Sequence, residues 1–223
     1  TRLTDVTGVQ TCAFRSREVF LRCYGMMTSN MHDAIGKGDF VDSEWVDRLL
    51  HRFAEYYFEA LERWDTIPHT APAVWQLAHG NTGRESAAVW QLLLLGVNAH
   101  INYDLVLTVH ELLEDEWDGL SLEAKLRRHD DYCRVNAIIA DTIDAVQDEV
   151  IAPSMPASAI LDRLLGRFDE FMISRLVTSW RDRTWDHALR LLETPDGEQR
   201  LAIVADVEDP ALRMASRITL GRE

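Results

Sequence analysis

The middle of the chain reads Gly96-Val97-Asn98-Ala99-His100-Ile101-Asn102-Tyr103-Asp104-Leu105 and lies inside the most apolar region, residues 89–113. Within seven residues it carries five polar side chains: Asn98, His100, Asn102, Tyr103 and Asp104. Burying a polar group costs free energy unless the group finds a partner. The segment therefore predicts either an internal hydrogen-bond network or a functional site at the centre of the fold.

Apolar residues recur at helical spacing on both sides of this segment, and strands do not alternate with helices. We expect a first helix over residues 11–32, and a second that starts with Ser43 as its N-cap and ends before Pro68. The longest uninterrupted helical segment should run from residue 84 to about residue 117. Its internal glycine, Gly96, predicts that a neighbouring helix approaches closely there.

Further helices are expected over residues 121–152 and 156–192. Residues 201–207 fit either a strand or the start of a helix. The fold prediction is one all-α domain, a helical bundle of about six main helices over residues 1–223. Residues 1–10 are expected to be a loosely ordered end, and residues 194–223 a C-terminal extension.

The composition narrows the range of functions that the protein can have. The 223 residues carry a formal net charge of −14, which argues against binding nucleic acid or anionic membranes. The apolar region is long enough to raise the question of a membrane span, but its polar side chains would be costly in a bilayer, so we expect a buried soluble helix. Three widely spaced cysteines and no recognisable signal peptide predict a cytoplasmic protein.

His100 and Asp104 lie four residues apart, so on a helix their side chains share one face. An imidazole and a carboxylate at this spacing can act as a general base with its orienting group, or as two ligands of a divalent metal such as zinc. The alternative is a structural hydrogen bond that ties two helices together. For a functional site, both side chains must project into an enclosed, roomy cavity between helices.

A second polar cluster follows at Arg128, Asp131, Tyr132 and Asn136. We expect Asp131 and Asn136 to point towards His100 and Asp104, with Asp131 as a third catalytic group. The alternative is a network of Arg–Asp ion pairs between helices. The other predicted substrate contacts or supporting groups are Asn98, Asn102, Tyr103, Arg128, Tyr132, Trp180 and Arg181. For Asn98 and Asn102, the favoured interpretation is that they bond to the backbone or to neighbouring helices. For Trp180, the favoured interpretation is core packing.

Several strings resemble those of an uncharacterised, mostly bacterial family known as a domain of unknown function. The central segment matches its signature G-M-N-A-H-I-N-x-D-L, with Val97 in place of Met. Other strings that match are Phe53-Ala54, Tyr57-Phe58, Ala60-Leu61, Arg127-Arg128-His129-Asp130-Asp131-Tyr132, Val135-Asn136, Trp180-Arg181 and Trp185. The resemblance implies a shared fold and site location, and it brings no established activity with it.

Three functions remain open from the sequence. The leading hypothesis is a small-molecule enzyme, namely a metal-assisted hydrolase that acts on an apolar substrate. The first alternative is a metal-free acid/base cyclase or isomerase of natural-product biosynthesis. The second is a non-catalytic ligand-binding or scaffold protein with a structural His–Asp network. The apolar stripes fit a closed core and a homodimer face equally well.

Overall fold

A computed structural model of the chain describes residues 2–80, 89–151 and 168–220. Every regular element in these three ranges is a helix, which confirms the all-α prediction. The helices are α1 (Arg2–Lys37), α2 (Ser43–Thr66), α3 (Ala73–Gly80), α4 (Val89–Ala99), α5 (Leu105–Glu114), α6 (Leu122–Val146), α7 (Phe168–Leu192) and α8 (Gly197–Leu220). Two 3₁₀ turns (Pro68–Thr70 and Trp117–Gly119) and two π-helical turns (His100–Asp104 and Gln147–Ile151) complete the described elements.

The helix α4, the π turn at His100–Asp104 and the helix α5 follow one another without a break and form a central rod. The other helices surround this rod: α4 contacts α1, α3 and α8, while α5 contacts α2 and α7. Leu95, Ala99, Leu105, Val109 and Leu113 along the rod are at most 2% exposed. The polar segment that stands out in the sequence therefore lies at the centre of the bundle.

Capping side chains fix where two helices begin. Ser121 accepts a hydrogen bond from the backbone N–H of Ala124, at 3.2 Å, and starts α6 as expected. At α2 the prediction is wrong by one residue: the N-cap is Asp42, whose carboxylate accepts from the N–H of Trp45 at 2.9 Å, and Ser43 is the first helical residue. An aspartate caps as well as a serine, so the sequence alone did not separate these neighbours.

Both ends of the chain differ from the prediction. The helix α1 begins at Arg2, so residues 2–10 are helical rather than an irregular end. Residues 201–207, which fit either a strand or a helix, lie inside α8. The helix α8 buries Ile203, Val207, Ala211 and Ala215 against the core, so the C-terminal segment packs on the bundle through these residues. The loop at residues 81–83 and the helix start expected at residue 156 fall outside the described residues.

The central rod also has the length and composition of a membrane-spanning helix, over Gln91–Glu114. In the structure, 67% of its most apolar window is buried inside the bundle. Such burial is ordinary for the core helix of a helical domain. The absence of a membrane span stays a prediction.

The close helix approach expected at Gly96 is present. A Cβ atom added to Gly96 would lie 2.7 Å from Cδ2 of Phe20, a buried residue on α1. This distance is shorter than any relaxed carbon–carbon contact. Glycine at this position therefore lets α1 pack directly on α4, which sets the position of the α1 side chains that surround His100.

We predict that Gly96→Ala lowers the free energy of unfolding by about 1–2 kcal/mol, because overpacking against Phe20 exceeds the gain in helix propensity. Urea denaturation measures this change. The matched control is Gly25→Ala on α1, where an added Cβ meets nothing within 4 Å, so that variant should gain about 0.5–1 kcal/mol. A similar gain in Gly96→Ala would contradict the close approach of the two helices.

Candidate functional site

His100 and Asp104 do share one face, and they bond to each other. Nδ1 of His100 lies 2.9 Å from Oδ2 of Asp104, and the two side chains are 4% and 1% exposed. The indole Nε1–H of Trp75, on α3, donates to both carboxylate oxygens at 3.0 and 2.9 Å. With Asp104 ionised, its carboxylate only accepts hydrogen bonds, and Nδ1 of His100 then carries the proton.

Aromatic rings enclose the imidazole. The ring of Phe53, on α2, stacks on it with a centroid distance of 3.5 Å and an interplanar angle of 8°. Tyr24 on α1 follows at 5.3 Å, and the remaining rings, all within 6.2 Å, are those of Phe20, Tyr57 and Trp75. Within the described residues, Nε2 of His100 is buried and has no hydrogen-bond partner. The histidine is thus bonded through one ring nitrogen and bare at the other.

Burial dominates the protonation of both groups. It lowers the pKa of His100, and the hydrogen bond and negative charge of Asp104 offset part of this effect. Burial raises the pKa of Asp104, and the bonds from His100 and Trp75 offset part of that rise. A neutral imidazole at physiological pH follows, with its free lone pair on Nε2.

The pair sits in a π-helical turn, in which the N–H of Leu105 bonds to the carbonyl of His100. Such turns disturb the regular bonding of an α-helix and are frequent at functional sites. The loosened backbone finds side-chain partners: the hydroxyl of Thr184 on α7 donates to the carbonyl of Ile101 at 3.0 Å, and that of Thr108 donates to the carbonyl of Asp104 at 2.8 Å. The π turn is therefore held by one hydroxyl from the rod itself and by one from α7.

Beside the pair, the part of the chain that the structure describes forms a small cavity rather than the roomy one that was predicted. The described residues form a cavity of about 60 Å³ beside Asp104, whereas sites for small organic substrates usually measure about 300–1,000 Å³. The cavity is lined by Tyr56, Glu59, Ala60, Arg63, Pro72, Tyr103, Asp104 and Leu107. It reaches Asp104 but not His100, and it is large enough for a few water molecules only. A surface groove of about 380 Å³ shares Glu59 and Arg63 with it. In this conformation packed aromatic rings close the imidazole off.

Asp131 bonds elsewhere and does not point towards the pair as expected, so the structure gives its predicted catalytic role no support. Its two carboxylate oxygens accept hydrogen bonds from the backbone N–H groups of Val41 and Asp42, at 2.8 and 2.7 Å. Asp131 is fully buried there and holds the loop between α1 and α2 against α6. These partners lie about 90 residues away in the sequence, where helical spacing gives no information.

The rest of the α6 cluster has a structural role as well. Arg128 pairs with Asp42 and with Glu116, and it lies over the ring of Trp45. This is the ion-pair network between helices that the sequence left as the alternative. None of these groups contacts His100 or Asp104.

Asn136 and Arg181 join α6 to α7. Nε of Arg181 donates to Oδ1 of Asn136 at 2.7 Å, and Nη2 donates to the carbonyl of Tyr132 at 2.8 Å. The hydroxyl of Tyr132 donates in return to the carbonyl of Arg181 at 2.7 Å. Trp180 is 1% exposed in the core. These residues were expected to form a site with His100. In the structure Asn136, Tyr132 and Arg181 link two helices, and Trp180 packs in the core.

The two asparagines of the central segment bond to protein, as the favoured interpretation has it. Nδ2 of Asn98 donates to the carbonyl of Ala211 on α8 at 2.9 Å, and Nδ2 of Asn102 donates to Oδ1 of Asn98 at 3.0 Å. Tyr103, by contrast, lies beside the Asp104 cavity. Of the predicted supporting groups, Tyr103 alone lines a cavity next to the pair.

The pair does not fit a metal held jointly by both residues. Nδ1 of His100 and both oxygens of Asp104 are already engaged in hydrogen bonds, which leaves Nε2 as the single free nitrogen. In residues 2–80, 89–151 and 168–220, no three His, Cys, Asp or Glu side chains are grouped so as to hold a metal ion. A metal held jointly by His100 and Asp104 would have to displace the hydrogen bonds among His100, Asp104 and Trp75.

Sequence reasoning missed the aromatic residues around the imidazole. Neither Trp75 nor Tyr24 stands out in the sequence as a neighbour of His100. A signal existed for Tyr24, because Gly96 demands a close neighbour and that neighbour, Phe20, lies one helical turn before Tyr24 on α1. For Trp75 there was no such signal, since its bond to Asp104 spans 29 residues.

A model of a family of unknown function, DUF5995, matches residues 2–220. The chain belongs to this family. No curated protein and no solved structure matches the chain. Family membership confirms the resemblance to an uncharacterised family, and the match includes α8. The description of the DUF5995 family gives no activity, so any statement about function must come from the geometry.

A second buried histidine, His79, packs between the rings of Trp75 and Trp64. Its ring lies 5.1 Å from that of Trp75 at an angle of 20°, and 5.7 Å from that of Trp64. Burial lowers the pKa of His79 to about 4; Arg17 lowers it further and Asp65 opposes the change. In the unfolded chain a histidine titrates near 6.5. The unfolded chain therefore binds a proton at pH 5 that the folded chain does not bind.

We predict that acidification from pH 7 to pH 5 destabilises the fold, with about 2 kcal/mol coming from His79. Chemical denaturation across this range measures the slope. The variant His79→Gln should show a shallower dependence on pH than the wild-type protein. Equal slopes in wild type and His79→Gln would show that His79 is protonated in the folded state.

Proposed function

We propose that the protein is a small-molecule enzyme in which His100 acts as a general base and acid, oriented by Asp104. The observation that carries this proposal is the asymmetry of the imidazole: Nδ1 bonds to Asp104, while Nε2 is buried with no hydrogen-bond partner in the described structure. A carboxylate on Nδ1–H fixes the tautomer, orients the ring and stabilises the imidazolium that forms when Nε2 takes up a proton.

An unpartnered Nε2 is unfavourable for a purely structural histidine. A buried polar atom that lacks a partner costs about 1–3 kcal/mol, and buried polar networks in stable cores are normally satisfied. The π turn beneath the pair gives the same indication, because such irregular turns occur frequently at functional sites. Both features fit a group that exchanges protons with a ligand.

The proposal favours the metal-free alternative over a hydrolase with a metal held by the pair. The atoms with which His100 and Asp104 would jointly ligate a metal already bond within the protein. The surroundings of Nε2 are aromatic, which suits an apolar substrate. Cyclisation, isomerisation and elimination each need one well-placed base and no charged substrate.

Access to Nε2 requires a movement of aromatic rings. Among the five enclosing residues, Phe20, Tyr57 and Trp75 are buried, while Phe53 and Tyr24 are partly exposed. A substrate would therefore approach between α1 and α2 and displace the ring of Phe53 from the imidazole. Movements of this kind are common in enzymes that exclude water from the reacting groups.

A non-catalytic role is the second candidate. It is favoured by the tight closure of the pair, whose side chains are 4% and 1% exposed, and by the small size of the neighbouring cavity. In that case the bond between His100 and Asp104, with Trp75, would hold α3 against the central rod. The two candidates differ in what happens when His100 is replaced.

The test uses p-nitrophenyl butyrate, a chromogenic apolar ester on which an accessible imidazole acts as a nucleophile or a general base. Its hydrolysis is not the proposed natural reaction; it probes whether an apolar molecule can reach Nε2 of His100 and whether that nitrogen is reactive. We predict that His100→Gln, which keeps a donor for Asp104, lowers the wild-type rate about 100-fold, within the usual range for a general base. The variant Asp104→Asn should lower it as well, because the imidazole loses its orienting carboxylate.

The matched control is His79→Gln, which replaces another buried histidine beside Trp75 and should retain the wild-type rate. Circular dichroism confirms that each variant is folded. Equal rates in wild type, His100→Gln and His79→Gln would refute the catalytic proposal. If His100→Gln were then also destabilised by 2 kcal/mol or more, about the cost of a broken buried network, the scaffold role would stand.

A further inference from the structure

Three polar atoms with no hydrogen-bond partner lie in the part of the described core where α1 meets the central rod. They are the hydroxyl of Tyr24, the hydroxyl of Thr28 and Nε2 of His100. Tyr24 and Thr28 are one helical turn apart on α1, so they share a face. The rings of Tyr24 and His100 are 5.3 Å apart at an angle of 66°. Three orphaned polar groups in one region point to a ligand that would satisfy them.

The two ring residues offer opposite hydrogen-bonding roles. Burial raises the pKa of Tyr24 well above neutral, and the charge of Asp104 adds to this, although the nearby Thr28 hydroxyl lowers it in part. The phenol therefore keeps its proton at neutral pH and is a donor. The lowered pKa of His100 favours a neutral imidazole, and with the Nδ1 proton bonded to Asp104 the other nitrogen, Nε2, is an acceptor. Tyr56 lacks this arrangement, because its hydroxyl donates to Glu111 at 2.8 Å.

We propose that Tyr24 is a second substrate-contacting residue, whose hydroxyl binds the carbonyl oxygen of a small apolar ketone or aldehyde while His100 removes a proton from the adjacent carbon. This inference rests on the proposed function of His100 and names the class of its substrate. A paired base and hydrogen-bond donor is the minimum that enolisation of a carbonyl compound needs.

The step balances within these groups. Nε2 of His100 takes the proton from the carbon next to the carbonyl, and the C–H electron pair forms a carbon–carbon double bond. The electron pair of the C=O double bond moves to oxygen, where the hydroxyl of Tyr24 donates a hydrogen bond to the enolate. The imidazolium, stabilised by Asp104, then returns the proton to the same carbon or to a conjugated one. The net result is proton exchange or isomerisation, with no external oxidant or reductant.

The surroundings favour a neutral carbonyl compound over a charged one. The enclosing rings of Phe20, Phe53 and Tyr57 provide no charge, and a charged ligand would lose its hydration there at high cost. The nearest charge is the carboxylate of Asp104, which would repel a carboxylate or phosphate. Thr28 supplies a further hydroxyl that can contact a substrate oxygen or support the phenol of Tyr24.

Cyclohexanone in heavy water tests the inference, with exchange of the protons next to the carbonyl followed by proton NMR. The wild-type protein should accelerate exchange over buffer, and Tyr24→Phe should lose about 100-fold of the acceleration, as expected for one donor to an oxyanion. Thr28→Val should slow exchange by a smaller factor. The control Tyr132→Phe removes a buried phenol that bonds to the carbonyl of Arg181 and does not line the cavity beside Asp104, and it should exchange like wild type.

The melting temperature separates the proposed role of Tyr24 from a purely structural one, because loss of a structural hydroxyl would lower it. Apart from its contact with Thr28, the hydroxyl of Tyr24 has no partner in the described core, so Tyr24→Phe should melt close to the wild-type temperature or above it. A clearly lower melting temperature would overturn the inference by showing a bonded hydroxyl in the core. Wild-type exchange in Tyr24→Phe, with exchange lost in His100→Gln, would overturn the role of Tyr24 and leave that of His100 intact.

If the wild-type protein exchanged these protons no faster than buffer does, the assignment of a ketone or aldehyde as the substrate class would be overturned. The ester assay then decides separately whether His100 acts as a base, so the two proposals fail independently.

Discussion

The hydrogen bonds that Asp104 accepts from His100 and Trp75 are the interaction on which the centre of the bundle depends. They bring together a residue pair in the central rod and a residue on α3, and they hold a carboxylate that is only 1% exposed. Such a carboxylate is tolerable only while its donors stay in place. The π turn and the closely packed α1 helix follow from the same need, because both position groups around the imidazole.

The fold was largely readable from the sequence. Helical spacing of apolar residues predicted the all-α bundle, and polar residues inside an apolar run located its centre at residues 96–105. The i, i+4 spacing predicted the bond between His100 and Asp104, since partners on one helix turn meet whatever the rest of the chain does. Gly96 predicted a close contact, although not which helix would make it.

The surroundings of the pair could not be read in the same way. Trp75, Phe53 and Tyr24 come from three other helices, and nothing in local spacing indicates which residues of distant helices will meet. The same limit explains Asp131, whose polar character on a helix face suggested a catalytic group. Its partners are two backbone N–H groups of a distant loop, and backbone groups leave no mark in a side-chain pattern. Arg128, Asn136 and Arg181 were likewise attributed to a site when they link helices.

The central claim is that the imidazole of His100 is neutral, carries its proton on Nδ1, where it bonds to Asp104, and leaves Nε2 without a hydrogen-bond partner. Nitrogen-15 NMR of the histidine rings tests this directly, with His100→Gln to assign the signal. The structure predicts an Nδ1–H tautomer that stays neutral as the pH is lowered from 7 past the ordinary histidine range near 6.5. A proton on Nε2, or an imidazolium at pH 7, would contradict it.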